Sequence, residues 1–238
     1  MPLPKLEVPQ YNLTLFSTKE DIVYRPFLVK EEKILLMALE GEDSDNILAA
    51  IRQIIENCII KGNVNVPDLP LFDLENIFLN IRSKSIGETS TINVPCISET
   101  CEEYTQHEVE LDKIELITND EHNTKIELDA DIGVNMKYPS VSLIGEIEAL
   151  DDNDIEQSLE IITLCIDNIY DKDQEYDFRD YTQIEKTEFL EQLTQQQLVK
   201  IQEFFTTMPV LEYQLKFNCG TCEVADNIPI RGLQNFFS

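Results

Sequence analysis

The sequence predicts an α+β fold: two mainly helical segments around a small antiparallel β-sheet. Three observations carry that prediction. Apolar residues recur at helical spacing in two separate stretches, within 27–84 and 140–208, and alternate with polar residues in the stretch between. A second alternating run, Val210 to Phe217, stands near the end of the chain. Each strand-like region also leads into a pair of cysteines, Cys96 with Cys101 and Cys219 with Cys222.

The cysteine pairs carry the most chemistry. Cys219-Gly220-Thr221-Cys222 reads as a thiolate knuckle, in which Gly220 is expected to supply the backbone conformation of a tight turn. Cys96 and Cys101 sit in a wider loop, entered by Ile92-Asn93-Val94 and left by Glu108-Val109-Glu110-Leu111. Two strand-flanked knuckles predict a zinc-ribbon-like four-cysteine element, with Cys96, Cys101, Cys219 and Cys222 as ligands of a structural zinc. The long segment between the pairs is no obstacle, because closure entropy grows slowly with loop length. His107 in place of one cysteine is an alternative, as are four small buried cysteines without metal. Four thiolates leave no open position for water, which argues against zinc catalysis.

Taken in order, residues 1–25 read as extended. Leu6-Glu7-Val8 and Tyr11-Asn12-Leu13-Thr14-Leu15 alternate, and Ile22-Val23-Tyr24-Arg25 follows a polar turn, so a hairpin is expected before Pro26. Residues 27–40 switch to helical period, with Leu28, Glu31 or Glu32, Leu35, Leu36 and Leu39 in phase and Gly41 as the stop. Ser44 or Asp45 caps a second helix whose apolar stripe, Ile47, Ala50, Ile51, Ile54 and Ile55, includes Cys58 as a core thiol. Leu71, Leu74, Ile77, Phe78 and Ile81 mark a third helix. Asp73 and Glu75 near its start and Arg82 and Lys84 near its end suit the helix dipole. Residues 1–91 thus form a hairpin-plus-helices domain.

From 92 to 139, alternation around Val109, Ile114, Ile126 and Val134 predicts one antiparallel meander carrying the first cysteine pair. Residues 140–208 return to helix. A short segment holds Leu143, Ile144, Ile147 and Leu150. A longer one, led by Asp154, aligns Ile155, Leu159, Ile162, Ile166, Ile169 and Tyr170 on one stripe, with Cys165 beside it. After an acidic, aromatic loop, Thr182-x-x-Glu185 and Thr194-x-x-Gln197 have capping-box spacing and open two more helices. Residues 209–238 supply the last strand, the second knuckle, a brief extended piece at Asn227-Ile228-Pro229-Ile230, and a terminal apolar turn with Leu233, Phe236 and Phe237. This end is expected to pack on 92–139.

Charge narrows the class of partner. The 238 residues include 46 acidic against 18 basic side chains, a net charge of −28. Nucleic acid and anionic membrane surfaces would be repelled, and no apolar run approaches the roughly 18 residues of a membrane span. Met1-Pro2-Leu3-Pro4-Lys5 lacks a secretory leader pattern, and two of the six cysteines stand alone in helical stretches. Synthesis in a reducing cytoplasm is expected. No phosphate-binding glycine loop, nucleophile elbow or H-E-x-x-H motif occurs. His107 and His122 sit in polar stretches expected to be exposed, and Asp151-Asp152-Asn153-Asp154 lacks the frame of a calcium loop and reads as a helix cap. Neither catalysis nor a small-molecule substrate is expected.

Several stretches resemble a known family. They are Pro2-Leu3-Pro4-Lys5-Leu6, Tyr24-Arg25-Pro26-Phe27-Leu28-Val29-Lys30-Glu31-Glu32-Lys33, Leu69-Pro70-Leu71-Phe72-Asp73-Leu74-Glu75 with Phe78, and Cys219-Gly220-Thr221-Cys222 with Gly232-Leu233 and Phe236-Phe237. Together they resemble the baseplate hub subunit (hub assembly) family of T4-like tailed bacteriophages. The resemblance covers most of the chain, and Arg25 to Lys33 is its most specific part. It implies a non-enzymatic structural or assembly role in the central hub of the tail baseplate, through contacts with other phage baseplate and tail proteins. The protein would be made in the bacterial host cytoplasm and, if retained, reside in the virion tail baseplate. A tail assembly chaperone absent from the mature virion is the alternative. Phe16 and the Phe236-Phe237 pair are candidate docking residues.

Overall fold

Alternation at the N-terminus builds the expected hairpin: β1 (Tyr11–Thr14) pairs antiparallel with β2 (Asp21–Tyr24), Tyr11 opposite Tyr24. The computed structural model describes residues 6–40, 44–85, 87, 89–98, 100–143, 155–232 and 235. They divide into two units, Met1–Ile117 with Val210–Ser238, and Thr118–Pro209.

In the first unit, α1 (Val29–Leu39), α2 (Ser44–Cys58) and α3 (Leu71–Ser83) form where helical periodicity puts them. Cys58 is fully buried, as its place on the apolar stripe predicts. The sequence reading has no strand after α2, yet β3 (Ile59–Lys61) adds to β2 and completes a three-stranded sheet. Ile59 and Ile60 are β-branched, and β2 offers them an open edge.

Two acidic residues of this unit do more than solvate a helix. Asp73 stands in the first turn of α3, as the dipole reading expects, and it is also buried and accepts from the Phe16 N–H at 2.8 Å, the Ser17 N–H at 3.0 Å and the Ser17 hydroxyl, so it holds the hairpin turn as well. Phe16 is half-buried and packs edge-on against Phe72, ring centres 6.0 Å apart. Glu31 is also buried. It accepts from Arg25 Nη2 at 2.9 Å and from the Leu28 N–H at 2.9 Å, while Arg25 Nη2 also reaches the Asn57 carbonyl at 2.8 Å. Arg25 thereby ties the end of β2 to the start of α1 and the end of α2.

β4 (Thr89–Pro95) and β5 (Tyr104–Glu110) pair antiparallel along their whole length, with the first cysteine loop between them. A 3-10 turn (Leu111–Lys113) then leads to β6 (Glu115–Ile117).

The second unit is a four-stranded antiparallel sheet with helices. Its elements are β7 (Lys125–Glu127), β8 (Gly133–Met136), α4 (Ile155–Cys165), β9 (Ile166–Tyr170), β10 (Glu175–Asp177), α5 (Gln183–Glu191) and α6 (Gln195–Thr207), with strand order β10-β9-β8-β7. The helix expected to run through Tyr170 stops at Cys165. Ile166, Ile169 and Tyr170 belong to β9, which fills the slot beside β8. Spacing of three and four residues favours helix, but β-branched isoleucines also suit a strand, and pairing with β8 decides for the strand. Gly133 lies opposite Tyr170, and a Cβ there would collide with the tyrosine ring. Both capping boxes form: the Glu185 and Gln197 side chains each accept from their threonine N–H at 2.8 Å. Val134, Cys165, Ile166, Ile201 and Phe204 are among the buried residues of this core. The expected helix over 144–150, the Asp151 to Asp154 cap, and the terminal Leu233, Phe236 and Phe237 lie outside the described residues.

The chain returns to the first unit as β11 (Val210–Asn218) and β12 (Ala225–Arg231), giving a sheet of order β12-β11-β6. Ile117 and Val210 are cross-strand partners, so the segment Thr118–Pro209 leaves and re-enters at one rung of a ladder. The strands expected to form one meander over 92–139 therefore belong to three sheets: β4 with β5, β6 with β11, and β7 and β8 with β9. Alternation marks a strand but not its partner. Leu79 of α3, Ile92 of β4, Val109 of β5, and Leu211, Leu215 and Phe217 of β11 share one buried core beneath the cysteines.

Candidate metal centre

The two cysteine loops meet at the end of this core. The sulfurs of Cys96, Cys101, Cys219 and Cys222 all lie within 4.8 Å of one another. Cys96 Sγ is 3.5 Å from Cys222 Sγ, and Cys101 Sγ is 3.9 Å from Cys219 Sγ. Both of these approaches run between the loops, not within them.

Backbone hydrogen bonds build each loop. In the first, the Cys96 N–H donates to the Glu103 carbonyl at 2.9 Å and the Cys101 N–H to the Ser98 carbonyl at 3.0 Å, closing the wider spacing into a compact turn. The Ser98 N–H lies 3.4 Å from Cys96 Sγ. In the second, the Cys219 N–H donates to the Val224 carbonyl at 2.9 Å and the Glu223 N–H returns to the Cys219 carbonyl at 3.2 Å. The left-handed residue of this knuckle is Glu223, at φ 59°, and not Gly220, the position expected from sequence. Open space surrounds Gly220 where a Cβ would stand.

Electrostatics favour a thiolate on the buried side of the cluster. Cys219 is 1 % exposed. The N–H groups of Cys222 and Thr221 point at its sulfur and pull its pKa down to about 6. The Ser98 N–H pulls the Cys96 thiol down, but burial and the neighbouring sulfurs outweigh it and push its pKa up to about 12. The remaining two cysteines behave differently. Burial raises Cys58 to about 11 and Cys165 to about 12, which keeps both protonated as core thiols.

This donor set fits a single tetrahedral ion. Four sulfurs about 2.3 Å from a central zinc stand roughly 3.8 Å apart, and the two inter-loop approaches, 3.5 and 3.9 Å, bracket that spacing. Soft thiolates in a tetrahedron select zinc or iron. Four of them fill the coordination sphere, so a metal held here has no vacant position for water or substrate.

The histidines stand apart from the cluster. His107, the alternative ligand, packs its ring 5.2 Å from Phe217, and its Nε2 is buried without a partner. His122 is built into the second unit: Nδ1 is 2.9 Å from the Thr207 hydroxyl, Nε2 is 3.0 Å from the Tyr138 hydroxyl, and the ring stacks on Tyr138. Burial lowers its pKa, so it is neutral at pH 7. The sequence predicts exposure for both. Both are half-buried instead, His107 against Phe217 and His122 against Tyr138, Phe204 and Thr207, and local polarity carries no trace of those contacts. Among the described residues, no helix is long and apolar enough to cross a membrane.

A family model described as T4 bacteriophage base plate protein matches residues 8–238. No curated protein and no solved structure matches the chain.

Proposed function

The chain belongs to the T4 bacteriophage base plate protein family, and we propose that within the baseplate it is a non-enzymatic component of the central hub that works through contacts with other tail proteins. The observation that carries this reading is the family match over residues 8–238. The hub assignment draws its support from the stretches around Tyr24 to Lys33 and Cys219 to Cys222. In this reading Cys96, Cys101, Cys219 and Cys222 hold a structural zinc, which staples the β11–β12 hairpin to the β4–β5 hairpin. Zinc suits a staple because it has no redox chemistry and a closed four-thiolate sphere leaves no position for a solvent ligand. Nucleic acid, membrane and small-molecule substrates have no part in the proposed role.

A second reading follows from the net charge of −28. A strongly acidic surface suits a chaperone that masks a basic tail protein and leaves before assembly is complete. Mass spectrometry of purified virions separates the two. Finding the chain at stoichiometric levels supports the hub component. Its absence from virions, together with its recovery on hub precursors from infected cells, supports the chaperone. If baseplates assemble normally without the gene product, both readings fail.

A further inference from the structure

Helix α1 turns apolar side chains to solvent. Val29, Leu36 and Met37 are 81, 55 and 64 % exposed, and Leu28 at the N-cap is exposed as well. Isolated exposed apolar residues are ordinary in a folded protein. These form one stripe. At about 100° per residue, Val29, Lys30, Lys33, Leu36, Met37 and Glu40 fall within an arc of about 120°, and all six are exposed. The opposite side of the helix is committed to the fold: Glu31 is fully buried, and Ile34, Leu35 and Ala38 are half-buried.

The charges of α1 are sorted against the character of the chain. Its two first-turn carboxylates turn inward. Glu31 bonds Arg25 at 2.9 Å, and half-buried Glu32 lies close enough to Arg82 to favour its charged form. The lysines turn outward. The Lys30 side chain is 66 % exposed while reaching Glu31 at 3.2 Å, and among the described residues no carboxylate pairs with Lys33. Lys30 in the first turn and Glu40 at the C-cap also oppose the helix dipole, so the stability of α1 itself does not account for them. A chain of net charge −28 thus presents apolar and cationic side chains together on one helix face.

We propose that this face of α1 docks an amphipathic helix of a partner protein whose apolar stripe is flanked by aspartate or glutamate. Val29, Lys33 and Met37 make a ridge at i, i+4 spacing, the kind that seats in the groove of a second helix. Apolar contact supplies the affinity, and Lys30 and Lys33 select carboxylates on the partner. A second copy of this chain is the weaker candidate, because both partners would carry the net charge of −28. An anionic bilayer is weaker for the same reason. The inference rests on the reading that the chain works through contacts with other proteins. Virion content tests that reading and direct binding tests this one, so either can fail alone.

The test uses the full chain and a labelled, hydrocarbon-stapled helical peptide of about 15 residues, with leucine at alternating three- and four-residue spacing and glutamate on either side. Saturable binding by fluorescence anisotropy is expected, with methyl chemical shifts moving at Val29, Leu36 and Met37. The double variant Leu36→Ala with Met37→Ala should weaken binding about ten-fold at unchanged melting temperature, since both side chains are exposed and alanine keeps the helix. Lys33→Glu should weaken it about five-fold, and the same peptide with lysine in place of glutamate should bind that variant more tightly than it binds the wild type. Absence of saturable binding, shifts confined to other residues, or equal affinity of the wild type for the two peptides would overturn the proposal. Binding to phosphatidylglycerol vesicles that the double variant loses would assign the face to a membrane, and self-association that it loses would assign the face to a second copy; either result overturns the choice of partner.

Discussion

Replacing Cys219 by serine tests the staple most directly. Cys219 is 1 % exposed, lies 3.9 Å from Cys101 Sγ, and bears a thiol whose pKa is pulled down to about 6. The two residues are 118 positions apart. A metal that ties them restricts the unfolded chain as a cross-link would, and for a loop of about 100 residues that restriction is worth about 4.7 kcal/mol. Serine retains the shape but not a competent thiolate, so most of that contribution is lost. Against a total stability of roughly 5–15 kcal/mol, the first unit should melt roughly 10–15 °C lower. The assay pairs zinc content by elemental mass spectrometry with thermal melting and residue-resolved hydrogen exchange. Protection should fall in β4, β5, β11 and β12, and the zinc content of the variant should drop well below one per chain. Cys165→Ser is the control. It perturbs a buried thiol of the second unit and should lower stability without releasing metal. A wild-type chain that holds no metal, together with a Cys219→Ser variant that melts alongside it, would refute the reasoning.

Three further outcomes are expected. Glu31→Gln strands Arg25 beside a neutral amide and should cost about 3 kcal/mol. Burial pushes the Glu31 carboxyl up, but the hydrogen bonds from Arg25, Leu28 and Lys30 outweigh it and hold the pKa below the ordinary value. Its stabilisation is therefore present above the ordinary carboxylate pKa and lost as pH falls through the lower folded value, so Glu31→Gln should flatten the acid limb of a melting-temperature profile. Asp73→Ala leaves the Phe16 and Ser17 N–H groups without their acceptor and should cost about 3 kcal/mol by chemical denaturation, with exchange rising first in the β1–β2 turn. Thr194→Ala removes the N-cap of α6 and should destabilise the second unit by about 1 kcal/mol; an equal loss of protection in β4 and β5 would contradict the division into two units.

Much of the local structure is legible in the sequence. Capping boxes at Thr182 and Thr194 announce their helices, because the motif is a closed circuit of bonds within four residues. The apolar stripe through Cys58 announces a buried thiol for the same local reason. The four metal-site candidates are also legible, since a knuckle is a short-range pattern and the tetrahedral count demands two of them. The role of Glu31 is less legible. Periodicity puts it in phase with a helix, and only the fold brings Arg25 and the end of α2 to its carboxylate. Asp73 suits the helix dipole on sequence grounds, and nothing local says that residues 16 and 17 return to it.

Sequence alone thus determined where most strands and helices form, which thiols are ligand candidates, and that the chain carries a net charge of −28. These properties depend on side-chain type and on spacings of a few residues. Tertiary structure alone decided which strand edges meet. It moved β6 from an expected meander to the side of β11, inserted Thr118–Pro209 at a single rung, and turned Ile166 to Tyr170 from helix into strand. The physical reason is common to all three: a strand's hydrogen-bonding edge is the same for every side chain it carries, so partner choice is set by long-range packing and chain length rather than by local composition.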